Sequence, residues 1–142
     1  MNLYLESLGC DKNRVDSEKL LSELLEKYEG AKVTMDPAEA DIAIVNTCSF
    51  IGPAKEESIN TILELAEYKK TGKLQKLIVA GCLVERYKDE IRKELPEIDE
   101  IASVKDYGSR LDNQMKRVER GERYTRYLKI AEGCDKYCSY CT

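Results

Sequence analysis

Two compact runs of apolar residues constrain the fold of this chain most strongly. The runs Ile42-Ala43-Ile44-Val45 and Leu77-Ile78-Val79-Ala80 contain no polar residue. Each run therefore predicts a strand that is buried on both of its faces. Strands of this kind occur in parallel sheets that helices cover on both sides. The two runs favour an α/β fold.

The segments around these runs alternate between strand and helix patterns. Leu20, Leu21, Leu24 and Leu25 repeat at helical spacing, for example, and predict one amphipathic helix. The predicted strands are residues 2–8, 32–35, 41–46, 77–80 and 98–102, and the predicted helices are residues 16–28, 53–68, 84–95 and 107–118. Such alternation indicates βαβ units. We expect an open, mainly parallel sheet with helices on both faces, a three-layer arrangement of the Rossmann or flavodoxin type.

The sequence predicts a domain boundary late in the chain. Residues 1–118 contain the alternating elements and form the first predicted domain. Residues 119–126 are polar and predict a linker. Tyr127-Leu128-Lys129-Ile130 then predicts the first strand of a second unit, residues 127–142, of which only the start is present.

The composition is that of a globular chain. Hydrophobic residues make up 42% and charged residues 35% of the sequence, and no apolar run approaches the length of about 18 residues that suggests a membrane span. No signal-peptide pattern is found at the start. We therefore expect a cytoplasmic protein without a membrane partner.

Six cysteines and the absence of histidine narrow the possible chemistry. In a reducing compartment, cysteines are used for metal or redox chemistry more often than for disulfides. Without histidine, these residues lack the usual ligands of zinc enzymes and the commonest general base. A metal would be held mainly by thiolates, which suits iron–sulfur clusters or a soft ion.

Three of the cysteines lie together in a C-x3-C-x2-C run formed by Cys134, Cys138 and Cys141. Three thiolates at this spacing can surround one metal centre, but structural zinc and closed iron–sulfur sites normally take four ligands. The run predicts either a missing fourth ligand or a metal position left open. Chance cysteines and an incomplete zinc knuckle are the alternatives. Because the run ends the sequence, we expect a longer chain.

The other three cysteines each follow a predicted strand. Cys10, Cys48 and Cys82 would be gathered at one edge, because the carboxyl ends of parallel strands meet there. Gly9 and Gly81 precede two of them and would let the backbone turn tightly beside a bulky ligand. The alternative is that all three cysteines are ordinary small buried residues.

Charge is distributed unevenly along the chain. Residues 1–104 carry 14 Lys and Arg against 21 Asp and Glu, whereas residues 105–130 carry 8 against 4. The basic segment is either a solvated helix and linker or a docking surface for nucleic acid.

The cysteine patterns resemble those of a known family. The terminal run, with Tyr140 before its last cysteine, resembles the signature of radical S-adenosylmethionine enzymes, and the first 100 or so residues resemble the amino-terminal domain of methylthiotransferases. The matching segments are Gly9-Cys10-x-x-Asn13, Asn46-Thr47-Cys48, Gly81-Cys82 and Gly133-Cys134.

Two longer segments indicate a branch of that family. Leu8-Gly9-Cys10-Asp11-Lys12-Asn13 and the segment from Ser49 to Ile59 are most similar to the ribosomal-protein branch. That branch modifies an aspartate of small-subunit ribosomal protein twelve. The branches that act on adenosine in transfer RNA usually differ after the second cysteine.

The resemblance implies an enzyme with two 4Fe–4S clusters, one for each set of three cysteines. It further implies that the iron left open by Cys134, Cys138 and Cys141 binds S-adenosylmethionine for radical chemistry. The iron left open at the first set would hold the sulfur that is methylated and transferred. A flavodoxin or ferredoxin would supply electrons. Residues 127–142 would be the truncated start of the radical enzyme's barrel, so the fragment alone would be inactive.

Several roles stay open at this stage. No catalytic residue is identified. Tyr140 would pack near the adenine of S-adenosylmethionine, or into a core that lies outside this fragment. Asn13 and Thr47 would support the first cluster through hydrogen bonds to sulfur or loop backbone, or would only cap turns and helices. The rival functions are a transfer-RNA methylthiotransferase, an iron–sulfur electron-transfer module and a zinc-binding interaction domain.

Overall fold

The described part of the chain contains one five-stranded parallel sheet. The computed structural model describes residues 1–103, 127–128, 130 and 135–140. The strands are β1 (Asn2–Ser7), β2 (Lys32–Thr34), β3 (Ile42–Thr47), β4 (Lys76–Gly81) and β5 (Glu100–Ala102). Their spatial order is β2-β1-β3-β4-β5, the doubly wound order found in flavodoxin-like folds.

Helices cover both faces of this sheet. They are α1 (Asp11–Lys27), α2 (Gly52–Thr71), α3 (Cys82–Arg86) and α4 (Lys88–Glu94), and a single 3-10 turn occupies Pro37–Glu39. Helix α1 packs on one face, and α2, α3 and α4 pack on the other. The predicted α/β class, with a parallel sheet between two helical layers, is confirmed.

The central strand β3 shows why the fold has three layers. All six of its residues are buried. Ile42 and Ile44 face α1, while Ala43 and Val45 face the opposite layer, because successive side chains of a strand point to opposite faces. Each fully buried aliphatic side chain of this size contributes about 1.5–3 kcal/mol by leaving water. The prediction of strands buried on both faces is therefore correct for β3.

Helix α1 begins five residues earlier than the sequence pattern predicts. Its first residue is Asp11 rather than Asp16, and the Arg14 amide donates to the Cys10 carbonyl at 3.1 Å. The first turn was missed because Asn13 is buried through hydrogen bonds. A pattern of apolar residues does not include a buried asparagine, so the predicted helix begins after it. The residue that precedes α1 at its amino-terminal cap is Cys10.

The single helix predicted over residues 84–95 is wrong. Helix α3 starts at Cys82, and Tyr87 (φ −124°, ψ 33°) separates it from α4. The ring of Tyr87 packs against the core layer that contains Leu83 and Ile91. Its hydroxyl oxygen also accepts a hydrogen bond from the Lys55 ammonium at 3.1 Å. These contacts fix the tyrosine at the break.

Several predictions concern other parts of the chain. The helix at 107–118 and the linker at 119–126 lie outside the described residues, as does most of the basic segment at 105–130. Tyr127, Leu128 and Ile130 are described, and none of them is in a strand, because no described strand pairs with them. Among the described helices, none combines the length and apolarity that crossing a bilayer requires.

Candidate functional site

Three cysteines lie at the carboxyl edge of the sheet. Cys10 caps the amino terminus of α1 shortly after β1, Cys48 directly follows β3, and Cys82 directly follows β4. Strands β1, β3 and β4 are adjacent and parallel, so the three segments emerge side by side. The predicted placement of these cysteines at strand ends is confirmed. The chain reverses its winding between β1 and β3, which is where open α/β sheets bind ligands.

The segment before Cys10 packs directly against Cys48. Gly9 has a φ of +94°, and a Cβ atom added there would lie 2.8 Å from the Cys48 Cβ and 2.9 Å from its Sγ. Only glycine leaves room for such an approach at this backbone angle. The sulfur of Cys48 therefore lies against the backbone beside Cys10.

The segment before Cys82 packs against the same loop. Gly81 has a φ of +95°, and an added Cβ would lie 2.2 Å from Asn46 Oδ1 and 2.4 Å from the Thr47 carbonyl oxygen. The tight turns predicted at both glycines are confirmed. The structure gives a reason for them that the sequence did not, since each glycine admits the neighbouring loop. The loop of Cys48 thus contacts the loops of both other cysteines.

Asn13, in the first turn of α1, reaches all three loops. Its Nδ2 donates to the Leu8 carbonyl at 3.2 Å and to the Thr47 carbonyl at 3.0 Å. Its Oδ1 accepts from the Cys82 thiol at 3.8 Å, a sulfur hydrogen-bond distance. The side chain is buried. Of the two roles considered for Asn13, hydrogen bonding to sulfur and loop backbone is the one observed.

Thr47 links the second and third loops. Its hydroxyl donates to the Ala80 carbonyl at 2.6 Å, across the β3–β4 pair. It caps none of the described helices, since their amino-terminal caps are Cys10, Ile51, Gly81 and Tyr87. The hydroxyl of Thr47 thus joins two strands, and its predicted support of a cluster stays a prediction.

Asn46 and Ser17 form a second buried layer beneath Asn13. Asn46 Nδ2 donates to the Asn13 carbonyl at 2.7 Å and to Ser17 Oγ at 2.8 Å. The Ser17 hydroxyl lies 2.7 Å from the Asn13 carbonyl and 2.9 Å from Ser7 Oγ, and can donate to either. Asn46 Oδ1 accepts no hydrogen bond from the described residues and lies against Gly81. This layer joins β3 to α1 below the cysteines.

Ser58 holds the backbone of Cys48 in place. The Cys48 amide donates to Ser58 Oγ at 3.0 Å, and the Ser58 hydroxyl lies 3.0 Å from the Cys48 carbonyl and 2.8 Å from that of Ala54. Ser58 is fully buried in α2. Sequence reasoning assigned no role to Ser58, Ser17 or Asn46. A polar residue on the inner face of a helix was the available signal for the two serines.

The three thiols differ in environment. Cys10 is exposed, Cys48 is buried and Cys82 is intermediate. Burial raises the pKa of the Cys82 thiol; the Lys12 ammonium acts in the opposite direction, and negative charge on Cys48, Cys10 and Asp16 raises it further. Cys48 and Cys10 are therefore near enough to Cys82 for their charge to act on its thiol. A bound metal cation would act in the opposite direction on the thiols, because metal ligation stabilises their thiolate form.

A cleft of about 590 Å³ opens beside Cys10, between β1 and α1. Among its lining residues are Tyr4, Glu6, Ser7, Arg14, Glu18 and Met35. Arg14 forms an ion pair with Glu18 at 3.6 Å on its wall. The cleft leaves the Cys10 side of the site open to molecules from solvent.

The three thiols are a donor set of the kind that a thiolate-held cluster would use. Within the described residues, no three His, Cys, Asp or Glu side chains are grouped to hold one metal ion. A single zinc would draw its thiolates to about 3.8 Å from one another, as its Zn–S bond length requires. A cluster of several irons is wider and suits thiols delivered by three separate loops. Cys10 is exposed, so its side chain can turn without displacing a neighbour.

The second predicted cysteine set is described only in part. Cys134 and Cys141 lie outside the described residues. Cys138 is exposed, and Tyr140, the predicted contact of S-adenosylmethionine, is 82% exposed. The described residues therefore place the loops of the first set at one edge of the sheet, while metal binding by either set stays a prediction.

Comparison with known proteins places the first domain in context. The model of the "Uncharacterized protein family UPF0004" matches residues 2–103. This range includes Cys10, Cys48 and Cys82, as well as all five strands of the sheet.

Curated relatives match nearly the whole chain. A protein of Lachnoclostridium phytofermentans is 47% identical over 164 residues, covering 99% of this chain and 37% of the relative. One from Solibacter usitatus is 48% identical over 159 residues, covering 99% and 34%. One from Clostridium botulinum (strain Hall) is 45% identical over 163 residues, covering 99% and 36%. Each is named "Ribosomal protein uS12 methylthiotransferase RimO", and this chain spans about a third of their length.

Proposed function

This chain belongs to protein family UPF0004, and from the names of its curated relatives we propose that it is part of a methylthiotransferase acting on ribosomal protein uS12. The reaction would add a methylthio group to an aspartate of that protein. One structural observation carries the proposal. Three loops, each bearing one cysteine, lie at the carboxyl edge of the sheet, where the Cys48 loop contacts the other two, and the described residues of that edge include no fourth cysteine.

Cys10, Cys48 and Cys82 would hold a 4Fe–4S cluster. When bound, the cluster supplies an iron without a protein ligand, at which sulfur for transfer can be held. The protein contributes three thiolates from three adjacent strands. Asn13 and Ser58 keep their loops in place through buried hydrogen bonds. The exposed position of Cys10 beside its cleft indicates the side from which sulfur and substrate approach.

The second cluster is proposed from the sequence motif. Cys134, Cys138 and Cys141 would hold it, with S-adenosylmethionine at the open iron and Tyr140 near the adenine. A flavodoxin or ferredoxin would supply electrons, and a ribosomal-protein substrate implies action in the cytoplasm. Since this chain is about a third of its relatives' length, we expect it to be inactive alone.

The charge of residues 1–104 favours a protein substrate over nucleic acid. Residues 1–104 carry 14 Lys and Arg against 21 Asp and Glu. An acidic surface attracts a basic protein and repels the phosphates of transfer RNA. This supports the ribosomal-protein branch of the family.

Metal analysis of the chain tests the ligand assignment. In a background with Cys134, Cys138 and Cys141 replaced by alanine, anaerobic reconstitution should give protein that holds iron and sulfide in equal amounts. Further replacement of Cys10, Cys48 and Cys82 by alanine should abolish this, because no thiolate remains. Circular dichroism of the apo-proteins is the control for folding. Iron content that survives the loss of all six cysteines would sink the assignment, and zinc in oxygen-free preparations would favour the zinc-binding rival.

Mass spectrometry of ribosomal proteins tests the substrate. In a strain that lacks the gene, uS12 should lose the mass of a methylthio group at one aspartate, and the full-length gene should restore it. A full-length protein with Cys10, Cys48 and Cys82 replaced by alanine should not restore it. Methylthio-adenosine in transfer RNA is the control and should be unaffected. A loss confined to transfer RNA would establish the rival branch instead.

A further inference from the structure

We propose that Asn13 is the positioning residue of the cysteine edge, holding the three loops in their relative places before any metal binds. This inference rests on the proposed function for the ligand role of the cysteines. Its structural basis is separate from that role, because the hydrogen bonds concerned are made by the protein alone.

Both ends of the Asn13 amide are used, and each contact falls on a different loop. Nδ2 donates to the carbonyl of Leu8, two residues before Cys10, and to the carbonyl of Thr47, the residue before Cys48. Oδ1 accepts from the thiol of Cys82. Asn13 therefore has hydrogen bonds to the segments beside all three cysteines.

Asn13 is itself fixed from below. Its carbonyl oxygen accepts from Asn46 Nδ2 at 2.7 Å and lies 2.7 Å from the Ser17 hydroxyl. Asn46 also lies against Gly81, so the second asparagine contacts the loop before Cys82. A side chain held at both its backbone and its amide has little freedom to turn. Asn13 can therefore hold the loops in a fixed position relative to the sheet.

The chemistry of the amide explains why asparagine is needed. Aspartate has almost the same shape, but it would place acceptor oxygens against the Leu8 and Thr47 carbonyls, which then lose their donor. The carboxylate would also repel the thiolate of Cys82 that metal binding requires. Asn13→Asp should therefore separate the loops while leaving the core packing of α1 intact.

The test compares Asn13→Asp with Asn2→Asp, in the background in which Cys134, Cys138 and Cys141 are alanine. Asn2 lies at the opposite end of β1 and donates from Nδ2 to the Glu39 carbonyl at 3.1 Å, so the same chemical change is made away from the cysteines. Iodoacetamide should alkylate the buried Cys48 of the Asn13→Asp apo-protein about tenfold faster than that of the parent. Mass spectrometry measures the rate of alkylation. Asn2→Asp should match the parent.

The reconstituted protein provides the second readout. Asn13→Asp should lose iron to a chelator about 10- to 100-fold more readily, the usual effect of removing a residue that orients metal ligands. The iron that remains should show a shifted reduction midpoint potential, which general destabilisation would not produce. Asn13→Ser, a smaller and uncharged variant that keeps one donor, should give intermediate effects, and it decides the question if Asn13→Asp does not fold.

Three results would overturn the inference. Alkylation and iron retention equal to the parent would show that the loops do not depend on Asn13. Equal effects of Asn13→Asp and Asn2→Asp would show only general destabilisation. If Asn13→Ser changed neither the midpoint potential of the bound iron nor the alkylation rate of Cys48, the amide of Asn13 would not be what holds the loops. If the parent itself binds no iron, the ligand assignment fails, and the alkylation rates alone still decide the role of Asn13.

Discussion

The backbone of Gly81 takes a conformation that side chains do not tolerate. Its φ of +95° and ψ of −169° lie in a region that is essentially reserved for glycine. The residue turns the chain from β4 into α3, so that the next residue, Cys82, starts the helix at the sheet edge. The position of the third thiol therefore depends on the absence of one Cβ atom.

Gly81→Ala should lower the free energy of unfolding by about 3 kcal/mol or more, from backbone strain and from overlap with Asn46 and Thr47. Gly30→Ala is the matched control, since Gly30 also has a positive φ (+78°) but no atom within 4 Å of an added Cβ. It should cost only about 1 kcal/mol of strain. Urea unfolding of the apo-proteins measures both values. Equal losses would show that the contact with Asn46 and Thr47 is not restrictive.

At the scale of elements, Asp99 joins three of them at the amino end of the sheet. Its Oδ2 accepts from the Lys69 ammonium of α2 at 2.6 Å and from the Leu77 amide of β4 at 2.7 Å, just before β5. Burial alone would raise the pKa of Asp99, but these hydrogen bonds and the charges of Lys69 and Lys76 outweigh it and hold the pKa below its usual value.

Asp99→Asn should make the chain less sensitive to acid. A carboxyl with a depressed pKa in the folded state stabilises the fold above its unfolded pKa of about 3.9, and this stabilisation is lost as pH falls through the folded pKa. At neutral pH the free energy of unfolding of the variant should be about 0.5–1 kcal/mol lower than that of the parent. The loss is small because the side chain of Asp99 is partly exposed. Asp89→Asn, an exposed carboxylate in α4, is the control. Parallel pH profiles of unfolding for Asp99→Asn and the parent would contradict the prediction.

The elements that could be predicted from the sequence are those whose burial is apolar. Strands β3 and β4 each contain a continuous apolar run, and the predicted ends of these strands put Cys48 and Cys82 at one edge of the sheet. The start of α1 could not be predicted, because Asn13 is buried by hydrogen bonds to residues distant in sequence. The same reason hid Ser58, whose partner Cys48 is brought to it only by the packing of α2 on the sheet. Local sequence carries no signal for such partners.

At the scale of the whole molecule, the candidate metal centre joins strands from most of the described sheet. A cluster held by Cys10, Cys48 and Cys82 would bind the folded chain and not the unfolded one, in which these residues are far apart. Binding of this kind raises the free energy of unfolding by mass action.

The reconstituted chain, in the background lacking the three terminal cysteines, should therefore melt at a higher temperature than its apo form under argon. The variant that lacks all six cysteines should melt at one temperature with or without iron and sulfide. A shift of equal size in that variant would attribute the stabilisation to iron bound elsewhere.

The order of the strands has a consequence for synthesis. Chains leave the ribosome from the amino terminus, so β1, β2 and β3 emerge before β4, and pairing of β1 with β3 can bring the loops of Cys10 and Cys48 together. Strand β4 pairs with β3 and carries Cys82 directly behind it. A nascent chain that ends before β4 thus presents two thiols and no third. The proposed cluster site would therefore be completed in one step, when β4 takes its place in the sheet.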